Sequence, residues 1–111
     1  MPVEFSDDAA FRNAVSSVLR SLLDQIDGID SEDHDPMLSE GNLKILFESG
    51  GTFVLSQQTP LHELWLSANL TAWHFRSEGG AWVERDSGES MLEILSGLFS
   101  DKLGIPTQFS L

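Results

Sequence analysis

The hydrophobic period of this chain changes twice, and that restricts its fold more than any other feature. Phe11, Val15, Val18, Leu19, Leu22 and Ile26 recur at steps of three and four, which lines one face of a helix. From Leu43 to Glu84 the apolar positions alternate instead, as in half-buried strands. From Ser90 to Leu103 the helical step returns, through Met91, Ile94, Leu95, Leu98, Phe99 and Leu103.

Punctuation residues sharpen these limits. Asp7 or Ser6 can cap the first helix and Gly28 closes it near Ile26; Ser90 caps the second, with Glu93 at the capping-box position and Gly104 and Pro106 at its end. Asp30 to Glu40 reads as a polar connection containing Pro36. Leu43, Ile45 and Phe47 form one alternating set, turned by Ser49-Gly50-Gly51 into Thr52 to Gln57, where Phe53 and Leu55 share a side. After Pro60, Leu64 and Leu66 take one face and Trp65 the other. Trp73-His74-Phe75-Arg76 alternates again, and Glu78-Gly79-Gly80 turns it into Ala81 to Glu84. The alternation leaves open which side Trp73, Phe75 and Trp82 take.

Strands joined by short turns make a meander, and two amphipathic helices can cover only one of its faces. The expected fold is therefore α+β: a two-layer sandwich with an N-terminal and a C-terminal helix on one face of an antiparallel sheet. The 111 residues are expected to form one domain, 1–111. Phe109 suggests that the tail from Ile105 to Leu111 packs between the helices.

Charge narrows the function. The net charge is −12, and residues 1–40 hold ten acids against Arg12 and Arg20. Such a field attracts cations or a basic protein surface and disfavours nucleic acid, whose phosphates require a Lys/Arg surface. Cysteine is absent, which removes disulfides, thiolate metal sites and a cysteine nucleophile. The stretch Met1 to Asp8 has no apolar leader and no run approaches membrane-spanning length, so a cytoplasmic protein without membrane contact is expected.

Asp24, Asp27, Asp30, Glu32, Asp33, Asp35 and Glu40 are the densest carboxylates. Asp24 and Asp27 lie one helical turn apart, so both can share a face. Hard oxygen donors suit divalent cations including ferrous iron, with modest selectivity, and His34 within the run offers an imidazole. Composition alone favours a solvated acidic loop without a ligand over a metal site. The spacing does not match an EF-hand, and neither glycine pair opens a helix as a phosphate-cradling loop must. His62 and His74 belong to no catalytic motif, so no catalytic residue is assigned. Trp65 is the more specific signal, because an indole on an open sheet face buries a large area when it docks.

The segment Gln58-Thr59-Pro60-Leu61-His62-Glu63-Leu64-Trp65-Leu66 resembles the signature of the frataxin family, Gln-x-Pro followed five residues later by Trp-Leu. Trp73-His74-Phe75, Trp82-Val83 and Asp86-Ser87-Gly88-Glu89-Ser90 resemble the elements that follow it, and Gly41-Asn42-Leu43-Lys44-Ile45 with Phe47-Glu48-Ser49-Gly50 the preceding hairpin. The short N-terminus and Pro-Leu-His bring it nearest the bacterial, CyaY-like branch. Two places depart from the pattern. Ser56-Gln57 stand where the family has an Asn and a basic residue, and Arg20, Ser21 and Gln25 stand where it often has further carboxylates, suggesting a smaller iron ridge.

The resemblance implies an α-β-sheet-α sandwich and weak surface binding of ferrous or ferric iron, with Asp24, Asp27, Asp30, Glu32, Asp33, His34 and Asp35 as the metal-binding residues. It also implies docking on the cysteine desulfurase–scaffold complex of iron–sulfur cluster assembly. Trp65, Gln58, Asn69 and Glu40 are expected at that contact, the protein acting as an adaptor or regulator and not as an enzyme. A monomer is expected, with iron-dependent oligomers left open. Two rival readings stand beside it: a weak ferroxidase, and an acidic interaction module that binds its partner without metal.

Overall fold

A computed structural model describes residues 5–111 of the chain; residues 1–4, the start of the stretch from Met1 to Asp8 read above for a leader, lie outside the described residues. Helix α1 spans Asp8–Asp27 and helix α2 Met91–Leu103. Between them run β1 (His34–Ser39), β2 (Asn42–Phe47), β3 (Thr52–Gln58), β4 (Glu63–Ala68), β5 (Thr71–Glu78) and β6 (Ala81–Glu84). The six strands form one antiparallel sheet in chain order. This is the expected two-layer α+β sandwich. Among the described residues no helix is long and apolar enough to cross a membrane.

The caps are those the chain's polar residues can supply. Asp7 Oδ1 accepts the Ala10 N–H at 2.8 Å and Ser90 Oγ accepts the Glu93 N–H at 3.4 Å, satisfying amides that a helix start leaves without partners. Gly28 does cap α1, but with φ −79°, so glycine's conformational freedom is not what ends the helix. Gly104, at φ 67°, does use that freedom at the end of α2.

One segment departs from the sequence reading. Asp30 to Glu40 is not simply a connection, because β1 lies inside it and pairs with β2 from His34↔Phe47 to Ser39↔Asn42. No hydrophobic alternation marks it because β1 is an edge: only His34 and Pro36 are half-buried, and Asp35, Met37, Leu38 and Ser39 are exposed. An edge strand tolerates a proline, whose missing N–H leaves no central ladder bond unmade, and a charge there discourages further strand pairing. The chain turns from β1 to β2 at Glu40-Gly41, where Gly41 has φ 70° and a Cβ would stand 3.1 Å from that of Gln57.

Leu43, Ile45, Phe47, Phe53, Leu55, Leu64, Leu66 and Phe75 all face the helices and are buried against Phe11, Val15, Leu19, Leu22, Ile26, Met91, Leu95 and Phe99. Register settles the aromatic positions that alternation left open. Phe75 stands opposite Leu64 and Trp73 opposite Leu66, on the covered side, where Trp82 is also buried. Phe99 packs edge-on to Phe47, Phe53 and Phe109 at ring distances of 5.9, 5.4 and 5.1 Å.

The tail closes the gap between the helices. Ser96 and Ser100 on α2 accept the N–H groups of Phe109 and Thr107, and Gln25 on α1 exchanges two hydrogen bonds with the Ser110 backbone. Gln25, one of the departures from the acidic family pattern, thus has a structural use.

The β4–β5 turn holds Asn69 and Leu70 at φ 52° and 64° between the paired Ala68 and Thr71. Two positive-φ residues are what a two-residue hairpin requires, but Leu is a poor choice beside Gly. The left-handed conformation costs a side-chain-bearing residue about 1–2 kcal/mol, and Leu70 is fully exposed, so no packing offsets it. Allowing for the greater unfolded-state freedom of glycine, Leu70→Gly should raise stability by about 0.5–1 kcal/mol in urea unfolding.

Candidate functional site

Two surfaces carry the residues singled out above, Glu40 excepted. The first is the acidic end of α1. Asp24 and Asp27 are exposed in its last turn, with no basic residue there to face the negative end of the helix dipole. Asp30 and Glu32 follow, both exposed, and Asp35 is exposed on the outer side of β1 opposite Leu46.

The other two members of the set are engaged. Asp33 accepts the Ser49 N–H at 2.7 Å and the Ser49 hydroxyl at 2.8 Å, tying the end of the α1–β1 connection to the β2–β3 turn. The Ser49 hydroxyl, then its N–H, hold the Asp33 carboxyl below its ordinary pKa against a small desolvation. His34 Nε2 lies 2.8 Å from the Ile26 carbonyl. A carbonyl can only accept, so Nε2 carries a proton, and in the neutral ring the lone pair sits on Nδ1, which is buried without a partner. The imidazole therefore presents no lone pair to solvent in this arrangement.

Among the described residues no three His, Asp or Glu side chains converge to hold a metal ion. The donors present fit a cation that keeps most of its water and meets one or two carboxylates at a time. Glu40 is not part of this group. It sits in the β1–β2 turn, beyond the whole of the six-residue β1, a separation of about 20 Å from His34. There it lines a cavity of about 330 Å³ with Val15, Leu19, Arg20, Leu38 and Gln57.

The second surface is the uncovered sheet face. Trp65 stands between Ser56 on β3 and His74 on β5, while Leu64 and Leu66 face the helices. The indole is half-buried: its Nε1 donates to Glu63 Oε1 at 2.9 Å and its ring meets His74 edge-on at 4.6 Å. Gln58 pairs across the strands with Glu63 and so belongs to this face. Asn69 lies at the β4–β5 tip, four residues from Trp65, or about 13 Å along the strand. Gln58 and Asn69 thus flank Trp65 at opposite ends of β4.

Three residues of this face escaped the sequence reading as site residues. Period two already places Glu63 beside Trp65, and His74 was visible on a strand. Arg85, which reaches Glu63 Oε1 at 3.0 Å from beyond β6, carries no such signal.

Glu84 organises the same corner. Its carboxylate accepts the N–H groups of Asp86, Ser87 and His74 at 2.9, 3.0 and 3.2 Å. Burial raises its pKa, but those three bonds and the nearby His74 outweigh it, so the pKa lies below the ordinary glutamate range. A carboxyl with a lowered folded pKa stabilises the fold above its unfolded pKa, and that stabilisation fades as pH falls through the lowered value. Glu84→Gln should therefore lower stability by about 1–2 kcal/mol at pH 7, with the gap to the parent closing below about pH 4; urea midpoints from pH 7 to pH 3 test this.

Comparison with known proteins agrees with the geometry. The profile of the frataxin-like domain matches residues 4–105. The iron-sulfur cluster assembly protein CyaY of Burkholderia mallei is 28% identical over 105 residues, covering 93% of this chain and 97% of that protein. The frataxin of Psychromonas ingrahamii superposes with a TM-score of 0.87 at 22% identity, over 95% of this chain and 99% of that one. A trimeric frataxin from Saccharomyces cerevisiae in a ferrous complex superposes with a TM-score of 0.73 at 25% identity, over 94% of this chain and 93% of that one. With the family profile running over nearly the whole chain and the same sandwich in these solved structures, the chain belongs to the frataxin-like family, on its bacterial, CyaY-like side.

Proposed function

We propose that the protein is an iron-binding adaptor of iron–sulfur cluster assembly that does not itself catalyse a reaction. The observation that carries the iron reading is the placement of Asp24 and Asp27. Two exposed carboxylates occupy the negative end of a 20-residue helix with no base in its last turn, and Asp30 and Glu32 follow directly. Carboxylates there are destabilised by the dipole and by one another, and a divalent cation relieves both. Exposed, dispersed oxygen donors give weak and exchangeable binding, which suits a protein that passes iron on. A ferroxidase requires inward-facing carboxylates and histidines held rigidly, and the exposed donors here lack that arrangement.

The partner in this reading is the cysteine desulfurase with its scaffold protein. The acidic end of α1 attracts a basic surface, and the open sheet around Trp65 supplies the apolar contact. The relative named for cluster assembly and the frataxin solved with ferrous iron support the reading by likeness. The cytoplasm, where CyaY-like proteins would meet that machinery, is the compartment proposed.

An anaerobic ferrous titration of the ¹⁵N-labelled protein, with Mg²⁺ as control, tests the iron surface. Broadening confined to residues 24–35 with the sheet unaffected is the expected outcome. No selective broadening would leave a metal-independent acidic docking module as the better reading.

The same carboxylates should show their cost to the fold. Asp24→Asn with Asp27→Asn should raise stability by about 0.5–1 kcal/mol at low ionic strength, with the gain fading in salt, and should weaken the iron response. Urea unfolding at two salt concentrations checks the first effect.

A further inference from the structure

Glu63 is an unusual residue for its position. It lies on the sheet face that no helix covers, yet it is only 7% exposed. Its Oε1 accepts both the Trp65 indole N–H at 2.9 Å and the Arg85 guanidinium at 3.0 Å. A glutamine carbonyl could accept the indole N–H as well, without a carboxylate having to leave water. An ion pair whose carboxylate is out of water is seldom a net source of stability, because desolvation consumes much of the Coulomb attraction. What such a pair does supply is a fixed geometry.

Arg85 reaches both groups that touch the indole. Its guanidinium holds Glu63, and its backbone N–H donates to the His74 carbonyl at 2.9 Å. The His74 ring in turn meets the Trp65 ring at 4.6 Å, and the His74 backbone N–H donates to Glu84. The turn after β6 therefore holds the indole N–H edge through Glu63 and anchors the backbone of His74, whose ring lies against the indole. Asp86, 3.8 Å from the Arg85 guanidinium, helps keep that side chain in place.

We propose that Glu63 and Arg85 are positioning residues that hold the Trp65 indole in its docking orientation before the partner arrives. The inference rests on the reading of the open sheet as the docking surface for the desulfurase–scaffold complex. A side chain already fixed loses less rotational freedom on binding, so this positioning should strengthen docking by about two- to tenfold. Arg85 is itself more than a third exposed on its side chain, so replacing it leaves the core intact.

The test uses the full chain carrying Arg85→Ala, Arg85→Lys, Glu63→Ala and Glu63→Gln, with Trp65→Phe as the reference. Two quantities are read: the Trp65 indole N–H resonance in ¹⁵N spectra, and the dissociation constant for the purified desulfurase–scaffold complex. Arg85→Ala and Glu63→Ala should shift or broaden the Trp65 indole resonance, leave those of Trp73 and Trp82 in place, and weaken binding about two- to tenfold. Arg85→Lys and Glu63→Gln should each restore part of both effects, since one keeps the positive charge and the other keeps an acceptor. An indole resonance unmoved in both alanine variants overturns the positioning role alone. So does a moved resonance with unchanged affinity while Trp65→Phe loses affinity. A Trp65→Phe variant that binds as tightly as the parent overturns the docking reading itself, and the positioning role with it.

Discussion

The apolar side chains at alternate positions of β2 to β6 have to leave water, and two helices with a short tail are all that is available to cover them. Burial of that one face is the interaction on which everything else depends. It fixes the register, because a one-residue slip of β4, for example, would exchange Leu64 and Leu66 for Trp65 at the core. The opposite face stays uncovered for the same reason. What stands there is set by the pleat, so Trp65, Glu63 and His74 are presented together as a consequence of packing Leu64, Leu66 and Phe75 inward.

The two candidate surfaces differ in how they are held. The open face is ordered by a connected set of hydrogen bonds in which Glu84, Arg85, Glu63 and His74 all bear on the indole or its neighbours. The acidic end of α1 has the opposite character. Asp24, Asp27, Asp30 and Glu32 are exposed, and only Asp33 and His34 are tied to the fold, through Ser49 and Ile26. In the function proposed above, the fixed groups around Trp65 serve docking and the exposed carboxylates serve exchange of hydrated cations.

Much of this was legible without coordinates. The helical and alternating periods located both helices and five of the strands, and the Gln-x-Pro…Trp-Leu segment pointed to the family. Period two alone placed Trp65 on the outer face. The strand that escaped notice, His34–Ser39, did so because an edge strand buries too little to imprint alternation, and its Asp and Pro read as loop residues. The carboxylate run was visible as composition. Sequence spacing could not show that Asp33 and His34 have structural partners, nor that Glu40 stands apart at the far end of β1, since each follows from a contact across strands or between helix and sheet.

The sequence by itself determined the order of both helices and of β2 to β6, the faces that β2, β3 and β4 bury, the cap at Ser90 and the sign of the charge, because all of these are local or periodic properties of the chain. The side taken by Trp73 and Trp82, the use of Gln25 to bind the tail, and the meeting of Arg85 with Glu63 were decided only by the tertiary structure. Arg85 and Glu63 are 22 residues apart, and no local rule links them. They meet because β4, β5 and β6 lie side by side in one sheet, and that adjacency exists only once the core has formed.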